Sequence, residues 1–248
     1  MEATEIHANG CDAPVVLHVS PHPDDEVLGA GATLLALRRS GWRVVNLACG
    51  LGRPGDHERR GTELTEALSL LGFDGVTLDP PAALSATDDL EAAVGRISQE
   101  IRRLLDQTGA SLIISPHLQD GHHAHEAVAR AVADAGIDRP GLVWWSWGLW
   151  ADLACPTLYL PFDGSTLLKL VSAMEVYAGE NSRNSYLELI PSRARSAAIL
   201  GTERVFGYGT HRVSILPYAE VLREMCPVDG QWVAGPARII DPVNPLSR

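Results

Sequence analysis

Cysteine is scarce in this sequence, and no two cysteines stand close together. Cys11, Cys49, Cys155 and Cys226 form no Cys-x-x-Cys pair. This argues against a disulfide framework or a cysteine zinc site, and for reduced thiols. Long apolar runs are also lacking: none approaches the ~20 residues that span a bilayer. The opening MEATEIHANGCDAP is polar and acidic, without the basic-then-apolar order of a signal peptide, so a cytoplasmic location is expected. Positive charge is in deficit as well. With 20 Lys and Arg against 31 Asp and Glu, the formal net charge is −11. That balance argues against nucleic acid or a membrane as partner and suits a small molecule better.

What is present is a hydrophobic content of 46% in 248 residues, enough for one large domain with a real core. Short β-like runs alternate with helical ones. Strands are expected at PVVLHVS (14–20), WRVVNLACG (42–50), GVTL (75–78), ASLIISP (110–116) and GLVWWSW (141–147). Helices are expected between them over about 26–39, 58–73, 88–107 and 124–136. Such alternation predicts an α/β fold, a Rossmann-like and mostly parallel sheet with helices on both faces. After Trp150 the rhythm changes. PTLYLPFD (156–163) reads as an edge segment, helical stretches follow over about 164–179 and 186–200, and the tail from Thr210 reads as irregular with a strand or two. Residues 1–248 are therefore read as a single domain, a core over about 14–150 with a C-terminal cap over about 151–248.

Two clusters carry chemistry. In VSPHPDDEVLGAG (19–31) a histidine and three carboxylates, His22 with Asp24, Asp25 and Glu26, crowd the junction of a strand and a helix. The acids alone would suit a helix N-terminus. They explain neither His22 nor Pro21 and Pro23, which hold the loop extended. A divalent cation between His22 and Asp25 would relieve the repulsion and leave Asp24 as a base on activated water. The second cluster, SPHLQDGHHAHEAVARAV (115–132), brings His117, His122, His123 and His125 to the start of another helix. In a Rossmann strand order the loops after the first and fourth strands face each other across the point where the winding reverses. Two histidines and one carboxylate can meet there with a position left for water.

PHPDDE after the first strand and a histidine-rich loop after the fourth resemble the PIG-L/LmbE superfamily of zinc-dependent N-deacetylases, which act on N-acetylglucosamine-type sugars. RGTELTEALSLLG (60–72) is similar to that family's R-x-x-E-L helix. The resemblance implies His22, Asp25 and His125 as ligands of Zn2+ or another divalent metal. It implies Asp24 as general base, His122 as oxyanion stabiliser or proton donor, and Arg60 as a substrate contact. Where the family reads His-Pro-Asp-His, this chain has His122-His123-Ala124-His125. The carboxylate that supports the catalytic histidine is replaced by Ala124, and Asp120 is expected to take over that role.

Other features carry less. GLGRPG (50–55) formally matches a nucleotide loop but follows the wrong strand and contains Pro54. Of the tryptophans in WWSWGLW (144–150), Trp144 and Trp145 are expected in the core, and Trp147 and Trp150 as platforms for a sugar or aromatic group. His7, His18, His57 and His211 are read as surface or packed positions. Cleavage of a bulkier amide, a non-haem iron enzyme and a degenerate metal-binding protein stand as alternatives to an acetylsugar deacetylase.

Overall fold

A computed structural model describes residues 13–247; His7 and Cys11 lie outside them. Five parallel strands form the body of the sheet: β1 (Val15–Ser20), β2 (Arg43–Ala48), β3 (Asp74–Thr77), β4 (Leu112–Pro116) and β5 (Val143–Trp147). Their spatial order is β3-β2-β1-β4-β5, the Rossmann order, so the winding reverses between β1 and β4. β1 reads as an unbroken apolar run because both faces of the sheet are covered. Val15, Leu17 and Val19 pack toward α4 (Leu90–Thr108) and α5 (His123–Gly136). Val16 packs on the opposite face with α2 (Gly31–Arg39), α3 (His57–Leu71) and α6 (Gly164–Glu175). Trp144 and Trp145 fall on opposite faces by the same alternation and are buried.

The helix expected over about 26–39 is broken into α1 (Asp25–Leu28) and α2. At the break Gly29 lies against the Trp147 indole, where a Cβ would stand 2.4 Å from the ring. α2 then starts afresh with a cap from far along the chain. The Glu220 carboxylate accepts from the Ala32 and Thr33 N–H groups at 2.8 Å and from the Thr33 hydroxyl at 2.7 Å. A cap 188 positions away leaves no local signature.

Beyond Trp150 the sheet continues. β7 (Tyr218–Val228) lies antiparallel between β5 and β6 (Leu158–Phe162). β8 (Gln231–Ala234) pairs antiparallel with β7, and β9 (Arg238–Ile239) parallel with β6. The tail from Thr210 thus holds three strands, and the segment read as an edge is flanked on both sides. Glu224 of β7 is buried and accepts from the Trp145 indole N–H at 2.9 Å and from Arg238, which ties the added strands to the parallel ones. α6, α7 (Ala178–Asn181) and α8 (Tyr186–Phe206) cover this side. Among the described residues no helix is long and apolar enough to cross a membrane, and there is no disulfide.

Gly29→Ala should destabilise the protein by about 1–3 kcal/mol, the usual cost of overpacking a filled core. Thermal unfolding checks this: an unchanged midpoint would show that the indole yields without strain.

Candidate metal centre

The loops after β1 and β4 meet across the switch point as their positions require. One ligand atom each from His22, Asp25 and His125 lies within 4.8 Å of the other two. His22 Nδ1 is 3.5 Å from Asp25 Oδ2, and His125 Nε2 is 3.4 Å from Asp25 Oδ1. The two imidazoles thus approach the two oxygens of one carboxylate, a donor set able to gather around a divalent cation. The loop is pinned from within: the His22 N–H donates to Asp25 Oδ2 at 2.9 Å. Burial raises the Asp25 carboxyl, and the neighbouring His125 and His22 outweigh it, holding the group below its ordinary range. His22 is the most open of the three, with 21% of its side chain exposed.

Asp24 stands beside this triad in the left-handed region, at φ 108°, a conformation that costs a non-glycine residue about 1–3 kcal/mol and gathers at functional sites. Burial and the adjacent Asp25 push its carboxyl well above the usual range, against the pull of Arg60. The next residue but one, Glu26, is fully buried and bridges two neighbours: it accepts from the Asp24 N–H at 3.2 Å and from the Tyr177 hydroxyl. Burial raises Glu26 to about 7. Arg60 donates to the Pro23 carbonyl at 3.0 Å and pairs with Glu180 at 3.3 Å. Its guanidinium is engaged in holding the loop that carries Asp24. Gly52, in the stretch that mimics a nucleotide loop, packs on that guanidinium, where a Cβ would stand 2.7 Å from Nη1.

The structure departs from expectation in two respects. Asp120 takes His125 and His117 as partners instead of His122: its carboxylate is 2.8 Å from His125 Nδ1 and 3.4 Å from His117 Nε2. The contact with His125 is close but bent, since it meets the distance and not the angle of a hydrogen bond. Asp120 also accepts the Leu149 N–H at 2.7 Å and the Trp150 N–H at 3.4 Å. Burial raises its carboxyl, and these donors hold it far below the ordinary range. Its position behind a candidate ligand, with Nδ1 addressed and Nε2 left for the metal, is that of an orienting carboxylate. Trp147 is the second departure. It is 1% exposed and meets His125 edge-on at 5.4 Å, so it is core and no platform.

His122 caps α5, its Nδ1 accepting the Ala124 N–H at 3.3 Å, which leaves the ring proton on Nε2. Its ring is 4.8 Å from His125 and stacks with His123 at 4.5 Å and Trp150 at 5.6 Å. Burial and the surrounding histidines lower its pKa to about 4. Trp150 is 53% exposed and remains a surface on which a ligand can stack. His18, read as packed, is buried in β1 with Nδ1 2.6 Å from Asn46 Oδ1. Tyr177, which meets Glu26, and Glu180, which meets Arg60, are partners that the sequence did not announce. Tyr177 lies 151 residues from Glu26, and no local motif announces it.

With this geometry in view, the comparisons with known proteins are specific. The family model for PIG-L, GlcNAc-PI de-N-acetylase, matches residues 17–136, the segment that contains both clusters. That match spans most of the Rossmann-like core. Solved structures share this chain's fold at low sequence identity. An antimicrobial pseudoaglycone deacetylase superposes with a TM-score of 0.68 at 20% identity, covering 92% of this chain and 99% of its own. The N,N'-diacetylchitobiose deacetylase of Pyrococcus horikoshii gives 0.62 at 18%, with 87% and 85% covered. A 4-carboxy-2-hydroxymuconate hydratase from Pseudomonas putida gives 0.60 at 19%, with 87% and 98% covered. Among curated proteins none matches this sequence.

Tyr177→Phe should cost about 1–3 kcal/mol, because it leaves the buried Glu26 carboxyl short of a donor. Chemical denaturation checks this; wild-type stability would mean that Glu26 finds another partner.

Proposed function

We propose that the protein is a zinc-dependent amide hydrolase that removes the acetyl group from an N-acetylglucosamine-type sugar or glycoconjugate. The observation that carries this reading is the convergence of His22, Asp25 and His125 from two distant loops, inside a segment matched by a de-N-acetylase family. The donor set fits a divalent cation. Two imidazoles and one carboxylate are a common set for catalytic zinc, and Asp120 orients one of the imidazoles from behind. The fold by itself supports less, since a hydratase shares it.

A bound Zn2+ or similar divalent ion would supply a polarised acyl carbonyl and a more acidic water. The chain's own groups supply the rest. Asp24 takes a proton from the attacking water, a role that needs it within hydrogen-bond reach of that water. Its left-handed backbone and the Glu26 and Arg60 contacts hold it in position. His122 presents Nε2–H to the oxygen that becomes negative in the tetrahedral transition state, where one well-placed donor is worth about 2.7–4 kcal/mol. Asp24 then returns its proton to the nitrogen, and the C–N bond breaks to give the free amine and acetic acid, which ionises to acetate. Trp150, exposed and stacked on His122, offers a face for the sugar or its aglycone. A cytoplasmic enzyme with a small-molecule substrate suits the acidic surface.

Elemental analysis of the purified protein should find about one zinc per chain, lost in His125→Ala. Asp24→Asn should keep the metal while acetate release from N-acetylglucosaminides falls about 10²–10⁴-fold. Full metal retention in His125→Ala would overturn the ligand assignment. Unchanged turnover in Asp24→Asn would remove that residue from the role of base.

A further inference from the structure

The reaction described above gives Arg193 no part, yet its guanidinium is joined to the edge of the site. From α8, Nη1 donates to the Leu149 carbonyl at 3.0 Å and Nη2 donates to the Gly148 carbonyl. The opposite ends of the same peptide units face Asp120. The Gly148 carbonyl belongs to the peptide whose N–H is that of Leu149, 2.7 Å from Asp120 Oδ1. The Leu149 carbonyl belongs to the peptide whose N–H is that of Trp150, 3.4 Å from Asp120 Oδ2. A planar trans peptide points its N–H away from its C=O. A cation on one side and an anion on the other therefore align both dipoles in the same sense, and each bond polarises the next. Asp120 reaches His125 Nδ1 at 2.8 Å, and Trp150 lies against His122.

We propose that Arg193 is a positioning residue for the metal centre, acting through the Gly148–Trp150 peptides to hold Asp120 against His125 and Trp150 against His122. The inference rests on the metal-centre reading above. Its chemistry favours arginine specifically: a rigid fork spans two consecutive carbonyls, whereas an ammonium is a point charge. Arg193 also borders a cavity of about 120 Å³ that it shares with Gly148, Arg204 and Glu220. The two carbonyls fix where its charge sits.

The test is the affinity of the full chain for Zn2+ by chelator competition, in wild type, Arg193→Lys, Arg193→Met, Asp120→Asn and the Arg193→Met/Asp120→Asn double variant. Both Arg193 variants should bind zinc about 10–100-fold more weakly, as when an outer partner of a ligand is lost. In the Asp120→Asn background Arg193→Met should add little, because the two act in one chain of contacts. Wild-type affinity in both Arg193 variants would overturn the proposal, and so would an undiminished Arg193→Met loss in the Asp120→Asn background. Arg193→Lys keeps the stem and the charge and carries the test should Arg193→Met fail to fold. Metal-free protein gives a second readout by heteronuclear NMR: the His125 Nδ1 proton, sheltered by Asp120, should exchange faster in both Arg193 variants. If wild type binds no zinc, the hydrolase reading falls and this signal still decides the relay; unchanged exchange overturns it.

Discussion

Asp24, Asp25 and Glu26 are withdrawn from water together, at 6%, 2% and 0% exposure, and an ionised carboxylate without a partner is costly in such surroundings. The answer to that cost shapes the molecule. Asp25 is met by His22 and His125, Glu26 by Tyr177, and Asp24 feels the nearby Arg60. Each compensating group is carried by a different part of the chain: the loop after β1, the start of α5, the turn after α6, and α3. Satisfying the charges and assembling the site are the same event. A divalent cation at His22, Asp25 and His125 would complete a compensation that the protein groups begin.

The first two-thirds of the architecture was legible because its causes are local or periodic. Apolar runs of strand length alternating with amphipathic helices predict the five parallel strands, and the structure places them in the Rossmann order. That His22, Asp25 and His125 could meet was readable from their motifs and from their positions at the carboxyl ends of neighbouring strands, and the structure brings them together. The misreadings share a different cause. The break at Gly29 depends on the Trp147 ring and the Glu220 cap. The burial of Trp147 depends on how α1 and α5 close over it. The partner of Asp120 is decided by the path of the chain after β5, although His125 is near in sequence. These are contacts between distant segments, and hydrophobic periodicity carries no information about them.

Similarity of fold and similarity of chemistry separate clearly in this case. Deacetylases and a hydratase superpose on the chain with comparable scores, so the sheet and its crevice are compatible with more than one reaction. The discriminating features are side chains: an aspartate in a strained backbone beside two imidazoles and a carboxylate, with a histidine whose proton is directed by its own helix. Ala124 offers no carboxylate at the start of α5; Asp120 lies against His125 and His117, and His122 is set by stacking and by a backbone N–H.

β7 sits between β5 and β6, with Glu224 gripping Trp145 on one side and Arg238 on the other. The C-terminal third is therefore spliced into the sheet and is not a lid resting on it. Removing it would strip hydrogen-bond partners from β5 and expose an edge of the kind that recruits foreign strands. Tyr177, Glu180, Arg193 and Glu220 would leave with it. A new substrate preference in such a scaffold could not arise by exchanging this portion as a module. It would have to come through the rim, where Trp150 and the loops around it can vary while the spliced strand stays in place.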